Sequence, residues 1–149
     1  MSILGENKKA RYDYQILENF EAGICLNGQE VKSLRTRGTS LAGSYIMLKG
    51  REAFWVGANI PPYQPKNAPP DYQAGRWRKL LLRKDELKRL IGRSREKGLT
   101  LVPLKVYTKQ AKIKLAFALA KGRKKADKRE LIKKREADRN IKRELNLRG

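Results

Sequence analysis

The chain contains no histidine and a single cysteine, Cys25. That removes Ser–His and Cys–His nucleophile pairs, imidazole acid–base chemistry and most zinc sites. Its 15 carboxylates are scattered among 36 lysines and arginines and form no DxD or ExE cluster. Carboxylate-bound magnesium is therefore weakly supported, no cofactor is implied, and an enzyme is the weaker expectation. These residue types are suited instead to holding a polyanion. With a formal net charge of +21, nucleic acid is the first expectation and an anionic membrane surface the second.

Several residues stand out as candidate contacts. Asn7, Lys8, Lys9 and Arg11 form a polar, basic approach to the first long apolar pattern. Their alternative reading is a frayed, solubilising terminus. Glu21 falls on the polar side of that pattern with Asn19 and Gln15. It is either an ordinary solvent-facing carboxylate or an acceptor for base amino and imino groups. Glu30, Lys32 and Arg35 sit together on a short helical stretch; they either face water or hold phosphates. Leu81 lies in a run of three leucines ahead of Arg83, where core packing competes with surface exposure. Trp77, among Arg76, Arg78 and Lys79, resembles a stacking-plus-cation group, and anchoring a loop is its alternative.

The most polar stretch is residues 121–149, with thirteen basic residues, five acidic ones and no aromatic or proline. It has too little apolar surface to offset its ordering entropy, so it is expected to be disordered alone. It is nevertheless rich in helix formers, and an anionic partner would fold it. A helix from Lys124 to Arg148 would span roughly 37 Å at about 1.5 Å per residue.

These groups must be positioned by residues 1–120, which read as one domain. Tyr12 to Leu26 alternates, with Tyr12, Tyr14, Ile16, Phe20, Ala22, Ile24 and Leu26 on one face, interrupted by Glu18. This predicts a long half-buried strand, with Gly23 as a bend or bulge. Gln29–Arg35 suits a short helix buried through Val31 and Leu34. Ser44–Leu48 and Glu52–Ala58 read as a hairpin around residues 49–51. Residues 60–76 hold five of the six prolines and form a loop. Leu87, Leu90 and Ile91 stripe a helix from Lys84 to Lys97, with Gly98 as its stop. In the last hairpin Val102, Leu104 and Val106 share a face opposite Lys105 and Tyr107. Beyond a Thr108–Ala111 turn, Ile113, Leu115, Phe117 and Leu119 face in while Lys112 and Lys114 face out. Pro103 is expected at an edge or bulge. Five or six strands with one clear helix, and at most two more, suggest a small, mainly β, closed or nearly closed antiparallel barrel of the OB-fold kind. An open α+β sandwich is the alternative. No run of about 18 apolar residues spans a membrane. The N-terminus lacks a secretory core, and the lone cysteine fits a reducing compartment, so a cytoplasmic location is expected.

The strings NKKARYDY from Asn7, FEAGICLNGQEVKSLR from Phe20, EAFWVGANI from Glu52, RKLLL from Arg78 and AKGRKKADKRE from Ala120 occur in this order. Together they resemble the small protein B family, the bacterial tmRNA-binding proteins of trans-translation, over nearly the whole chain. The resemblance implies an OB-fold barrel that binds the tRNA-like domain of tmRNA. It also implies a tail that becomes helical in the decoding region and mRNA channel of the ribosome, against 16S rRNA. EF-Tu and alanyl-tRNA synthetase would be partners through tmRNA. It marks Asn7, Lys8, Arg11, Glu21, Glu30, Lys32, Arg35, Leu81 and Arg83 as tmRNA contacts. Gly122, Lys124, Lys125, Ala126, Asp127, Lys128 and Arg129, followed by Lys133, Lys134 and Arg135, would form the ribosome-facing tail. Two positions depart from the family pattern: Arg83 stands where asparagine is common, and Ala126 where histidine or an aromatic is usual. A ribosomal or other structural rRNA-binding protein is the alternative within the same class.

Overall fold

The computed structural model describes residues 1–123, Arg129 and residues 132–139. Seven strands form one antiparallel sheet: β1 (Ile3–Glu6), β2 (Tyr14–Ile24), β3 (Tyr45–Lys49), β4 (Glu52–Val56), β5 (Arg78–Leu81), β6 (Leu99–Lys109) and β7 (Lys112–Gly122). The order is β1-β6-β7-β2-β5-β4-β3. The far strand β3 returns to lie against β6, curling the sheet around its core. Among the described residues no hydrogen-bonded pair closes the ring, so the molecule is an open, OB-like barrel. Three helices cover it: the single turn α1 (Ala10–Asp13), α2 (Gly28–Arg37) and α3 (Lys84–Ser94).

The inward residues of the long strands build the core. Phe20, Ala22, Leu34, Trp55, Leu80, Leu90, Val106, Leu115, Phe117 and Leu119 belong to one cluster. Phe20 of β2 stacks on Phe117 of β7, their ring centroids 5.3 Å apart, as their direct register requires. A second cluster of Ala10, Val102 and Ala120, backed by Tyr14, Ile16 and Leu104, lies on the opposite side of the sheet.

That second cluster corrects two sequence expectations. Tyr14 and Ile16 do not share a core with Phe20 and Ala22, because the register of β2 against β7 shifts between Ile16 and Glu18. The extra residue is Leu17, which is exposed; the irregularity is there and not at Gly23. A matching shift in β6, between Pro103 and Lys105, separates Leu104 from Val106. Pro103 thus adjoins a bulge, where its missing N–H is tolerated. Bulges insert one residue and change which face the following side chains occupy, so strict alternation across them fails.

Two strands, β1 and β5, were not legible in the sequence. β1 is short and exposed at both ends, with only Leu4 packing on the core, and it is held by backbone bonds to β6. Its neighbour Gly38, at φ 67°, approaches so closely that a Cβ would stand 2.4 Å from the Leu4 carbonyl oxygen. In β5 the sequence ArgLysLeuLeu alternates, but the buried positions are Arg78 and Leu80. α3 stops at Ser94, short of Gly98, which turns the chain at φ 83° into β6. The β6–β7 turn has only two residues, Gln110 and Ala111, both at positive φ, as tight hairpins require.

Candidate nucleic-acid interface

The side of the sheet facing away from the main core carries the candidate contacts. Strand register aligns Tyr107 of β6, Lys114 of β7, Gly23 of β2 and Leu81 of β5 in one row across four strands. The adjacent row places Lys105, Ala116 and Glu21 side by side. Gly23 matters here because any Cβ would press to 3.3 Å on the Leu81 Cβ. Its absence lets Leu81 lie flat, and Leu81 remains 53% exposed. The core reading of Leu81 is therefore corrected: β5 turns Leu80 inward and Leu81 out.

Glu21 is exposed, yet it is firmly held. Its carboxylate accepts hydrogen bonds from the Tyr107 hydroxyl and from Lys109 Nζ at 3.1 Å. The Tyr107 bond lowers the Glu21 pKa; partial desolvation opposes it, and Lys109 and Lys114 reinforce it. Tyr107 moves the other way: burial and the neighbouring carboxylate keep its hydroxyl protonated far above the ordinary range. Glu21 is thus a fixed anion with acceptor capacity left over, set among lysines.

A shallow recess of about 340 Å³ joins Glu21 and Asn19 of β2, Lys114 of β7, Leu81, Leu82, Arg83 and Glu86. Three sequence candidates, Glu21, Leu81 and Arg83, meet here. Arg83 stands at the N-cap of α3 but offers no side-chain cap. It pairs with Glu86 at 2.7 Å instead, in keeping with arginine's inability to act as a capping acceptor. Beyond Leu81 and Leu82 a larger groove, about 830 Å³, runs between β5 and α3 and is edged by Arg51, Lys79, Lys84, Lys88 and Arg95, with Glu52 paired to Lys79 among them. Apolar floor and basic rim together suit nucleic acid, whose bases and phosphates need opposite surroundings.

The other candidates lie elsewhere. Asn7 is pinned beside the β6 bulge: its amide donates to the Leu104 carbonyl at 2.7 Å and its side chain to the Pro103 carbonyl at 3.1 Å. It is an ordered residue, not part of a frayed end. Lys8 and Arg11 are exposed next to it. Arg123, following Gly122 of β7, donates through its amide to the Asp13 carbonyl and through Nε to the Arg11 carbonyl. The N-terminal basic residues and the root of the tail thus form one patch, which does not contribute to the recess. On α2, Lys32 lies 6.0 Å from the Tyr63 ring centroid. Arg35 donates to the Ala111 carbonyl at 2.8 Å, tying α2 to the β6–β7 turn.

Glu30 is a correction. It is fully buried and cannot present its carboxylate to RNA. Asn27 and Glu30 form a reciprocal capping box at the start of α2. The same carboxylate binds Arg76 and Arg78, the latter at 2.7 Å. Arg78 is itself buried and donates to the Ala58 and Ala74 carbonyls at 2.7 and 2.8 Å. Burial would raise the Glu30 pKa; the bonds from Arg76, the Asn27 amide and Arg78 outweigh it and hold the carboxyl below its ordinary value. This also alters the surroundings of Trp77. Arg76 and Arg78 turn inward, and the cation over its ring is Lys49, 5.6 Å from the centroid.

In the tail, Gly122 ends β7, opposite Tyr14. Arg129, Lys133, Lys134 and Arg135 are helical, and all are exposed. Lys124, Lys125, Ala126, Asp127 and Lys128 lie outside the described residues. Among the described residues, no group of three or more His, Cys, Asp or Glu could hold a metal ion, and no helix is long and apolar enough to cross a membrane.

The SmpB protein family model matches residues 4–147. The chain belongs to the SmpB family. It is 44% identical over 143 residues to the SsrA-binding protein of Trichormus variabilis, spanning 96% of this chain and 92% of the relative. It is 48% identical over 139 residues to the SsrA-binding protein of Sulfurihydrogenibium sp., spanning 93% and 91%. A solved chain described as "tmRNA-SmpB: a journey to the center of the bacterial ribosome" matches with a TM-score of 0.65 and 45% identity, over 80% of this chain and 84% of that one. Within the SmpB framework, Asn19 lies beside Glu21 as the alternation of β2 placed it, while Lys114 and the Tyr107–Lys109 clamp on Glu21 are the site features that sequence reasoning missed. Their sequence signal was the outward phase of the β6–β7 hairpin, and pairing them with Glu21 required the register.

Proposed function

We propose that the chain is a non-catalytic tmRNA-binding factor of trans-translation. Its barrel, residues 1–120, grips the tRNA-like domain of tmRNA. Its tail, residues 121–149, probes whether the mRNA channel of a stalled ribosome is empty. The observation that carries this reading is the SmpB family match across residues 4–147, tail included, with Glu21 and Leu81 gathered in one recess. The relatives are SsrA-binding proteins, and the solved neighbour pairs tmRNA with SmpB in the ribosome. In mechanism, Glu21 accepts from base edges, while Lys114, Arg83 and Lys109 set register on phosphates. The tail orders on rRNA where the channel is vacant, and an occupied channel forbids that. Delivery with EF-Tu, after aminoacylation by alanyl-tRNA synthetase, follows from binding tmRNA, and the setting is the cytoplasm.

The test is to isolate the intact protein from cells and sequence the RNA that travels with it. One predominant tRNA-shaped RNA, with substoichiometric ribosome association, is expected. Stoichiometric retention on all salt-washed ribosomes would establish a ribosomal protein instead. Ending the chain after Gly122 should leave tmRNA affinity nearly intact and abolish peptide tagging.

A further inference from the structure

Among the described residues, Trp77 is one of the largest exposed apolar side chains, at 42%, whereas Trp55 is wholly buried. Its neighbours Arg76 and Arg78 are drawn inward by Glu30, so Trp77 is held on the outer side by a braced backbone. Phe54 of β4 flanks it with ring centroids 5.8 Å apart, and Lys49 Nζ sits over the indole. Lys79 stands opposite Phe54 in the β4–β5 register. Along the chain, Trp77, Lys79, Leu81 and Arg83 are all exposed at every second position, about 6.6 Å apart in extended backbone. The last two line the recess.

We propose that Trp77 and Phe54 form a stacking platform for an unpaired RNA base, an extension of the recess along the same chain segment. The base lies on the open face of the indole, and Lys49 and Lys79 hold its flanking phosphates. Charge selects the occupant. A protein partner of neutral or basic character would meet two lysines beside the aromatic pair, offset only by Glu52, 3.5 Å from Lys79 Nζ, whereas RNA supplies both the π-face and the phosphates that a net-positive surface attracts. The inference rests on the RNA-binding reading only for the class of ligand, not for tmRNA itself.

Two probes separate the two ideas: a short single-stranded oligoadenylate and a transcript of the tRNA-like domain, each titrated into full-length protein. Trp77 fluorescence should be quenched by oligoadenylate, and Trp77→Phe should abolish the quenching while keeping most of the affinity. Trp77→Ala should weaken oligoadenylate binding by about 5- to 100-fold, the loss expected for one base–aromatic stack. Lys49→Gln should reduce the salt slope by about one, and thermal melting checks that each variant is folded. Should Trp77→Ala melt early, Trp77→Phe and Lys49→Gln still decide the matter. Quenching that persists in Trp77→Phe, or a salt slope unchanged in Lys49→Gln, would overturn the platform. If the transcript binds specifically and a folded Trp77→Ala is unaffected on oligoadenylate, the platform fails and the tmRNA reading stands. If oligoadenylate stacks on Trp77 and the transcript shows no preference, the platform stands and the tmRNA reading fails.

Discussion

Two glutamates, nine residues apart, have opposite fates. Glu21 lies on the outside of β2 with a tyrosine and a lysine; Glu30 lies inside, in the first turn of α2, with two arginines. Both are ionised, and both have lowered pKa values, but for different reasons. Glu21 is lowered first by the Tyr107 hydroxyl, which outweighs a partial desolvation with help from Lys109 and Lys114. Glu30 must overcome its own desolvation, and three hydrogen-bonded partners accomplish that. The difference separates recognition from construction. An exposed, clamped carboxylate keeps free lone pairs for a ligand. A buried one spends its oxygens on holding α2, the proline-rich loop and β5 together through Asn27, Arg76 and Arg78.

The largest effect should come from breaking the buried member. Glu30→Ala leaves Arg78 charged and unpaired in the interior, a loss of about 3–5 kcal/mol by the precedent of broken buried pairs. Denaturant unfolding should show it, and a midpoint close to wild type would mean that water reaches Arg78. Acid offers a second handle. A carboxyl lowered in the folded state contributes stability that is complete above its ordinary value of 4.5 and is lost as the pH falls below it. Glu30→Gln should flatten that acid loss, whereas the same change at Glu21 should flatten it much less.

For the exposed member the readout moves from stability to binding. Glu21→Ala should lower affinity for the tRNA-like domain about tenfold, the scale of one charge-assisted contact. Binding to generic tRNA should change less, and the melting point should barely move. Equal losses on both RNAs would make Glu21 a structural residue like Glu30 and erase the contrast.

Why these fates were not legible in the sequence follows from where each is decided. The alternation of β2 placed Glu21 correctly on the polar face, because a period of two depends only on neighbours along the chain. Glu30 was read with Lys32 and Arg35 as facing water or RNA because helical spacing cannot reveal that Arg76 and Arg78, some 46 and 48 residues on, return to meet it. Arg78, read as a cation beside Trp77, was misread, and the run of leucines left Leu81 open between core and contact. In a four-residue strand, one arginine inward and one leucine outward invert the hydrophobic pattern, and only the distant Glu30 makes that inversion stable. The bulge at Leu17 was hidden for the same reason, since a register shift belongs to a pair of strands; the one at Leu104 was signalled only by the neighbouring Pro103. The barrel class, the hairpins and the long strands survived because many local patterns agree on them.

The smallest expected effect lies at the edge of the recess and divides its two roles within one residue. Arg83 occupies the N-cap of α3 in extended backbone, at φ −64° and ψ 150°, without capping it. Asparagine at that site could accept from the helix amides and form a box with Glu86, as Asn27 does with Glu30 in α2. Arg83→Asn should therefore raise the melting temperature by about 2–4 °C. The exposed Arg83–Glu86 pair that it removes contributes little against this. The same change deletes a cation beside Leu81 and Lys114, so RNA affinity should fall across sequences, with a salt slope smaller by about one. Stability and binding then move in opposite directions. A variant that gains both would show that Arg83 serves α3 alone, and the recess would end at Leu81.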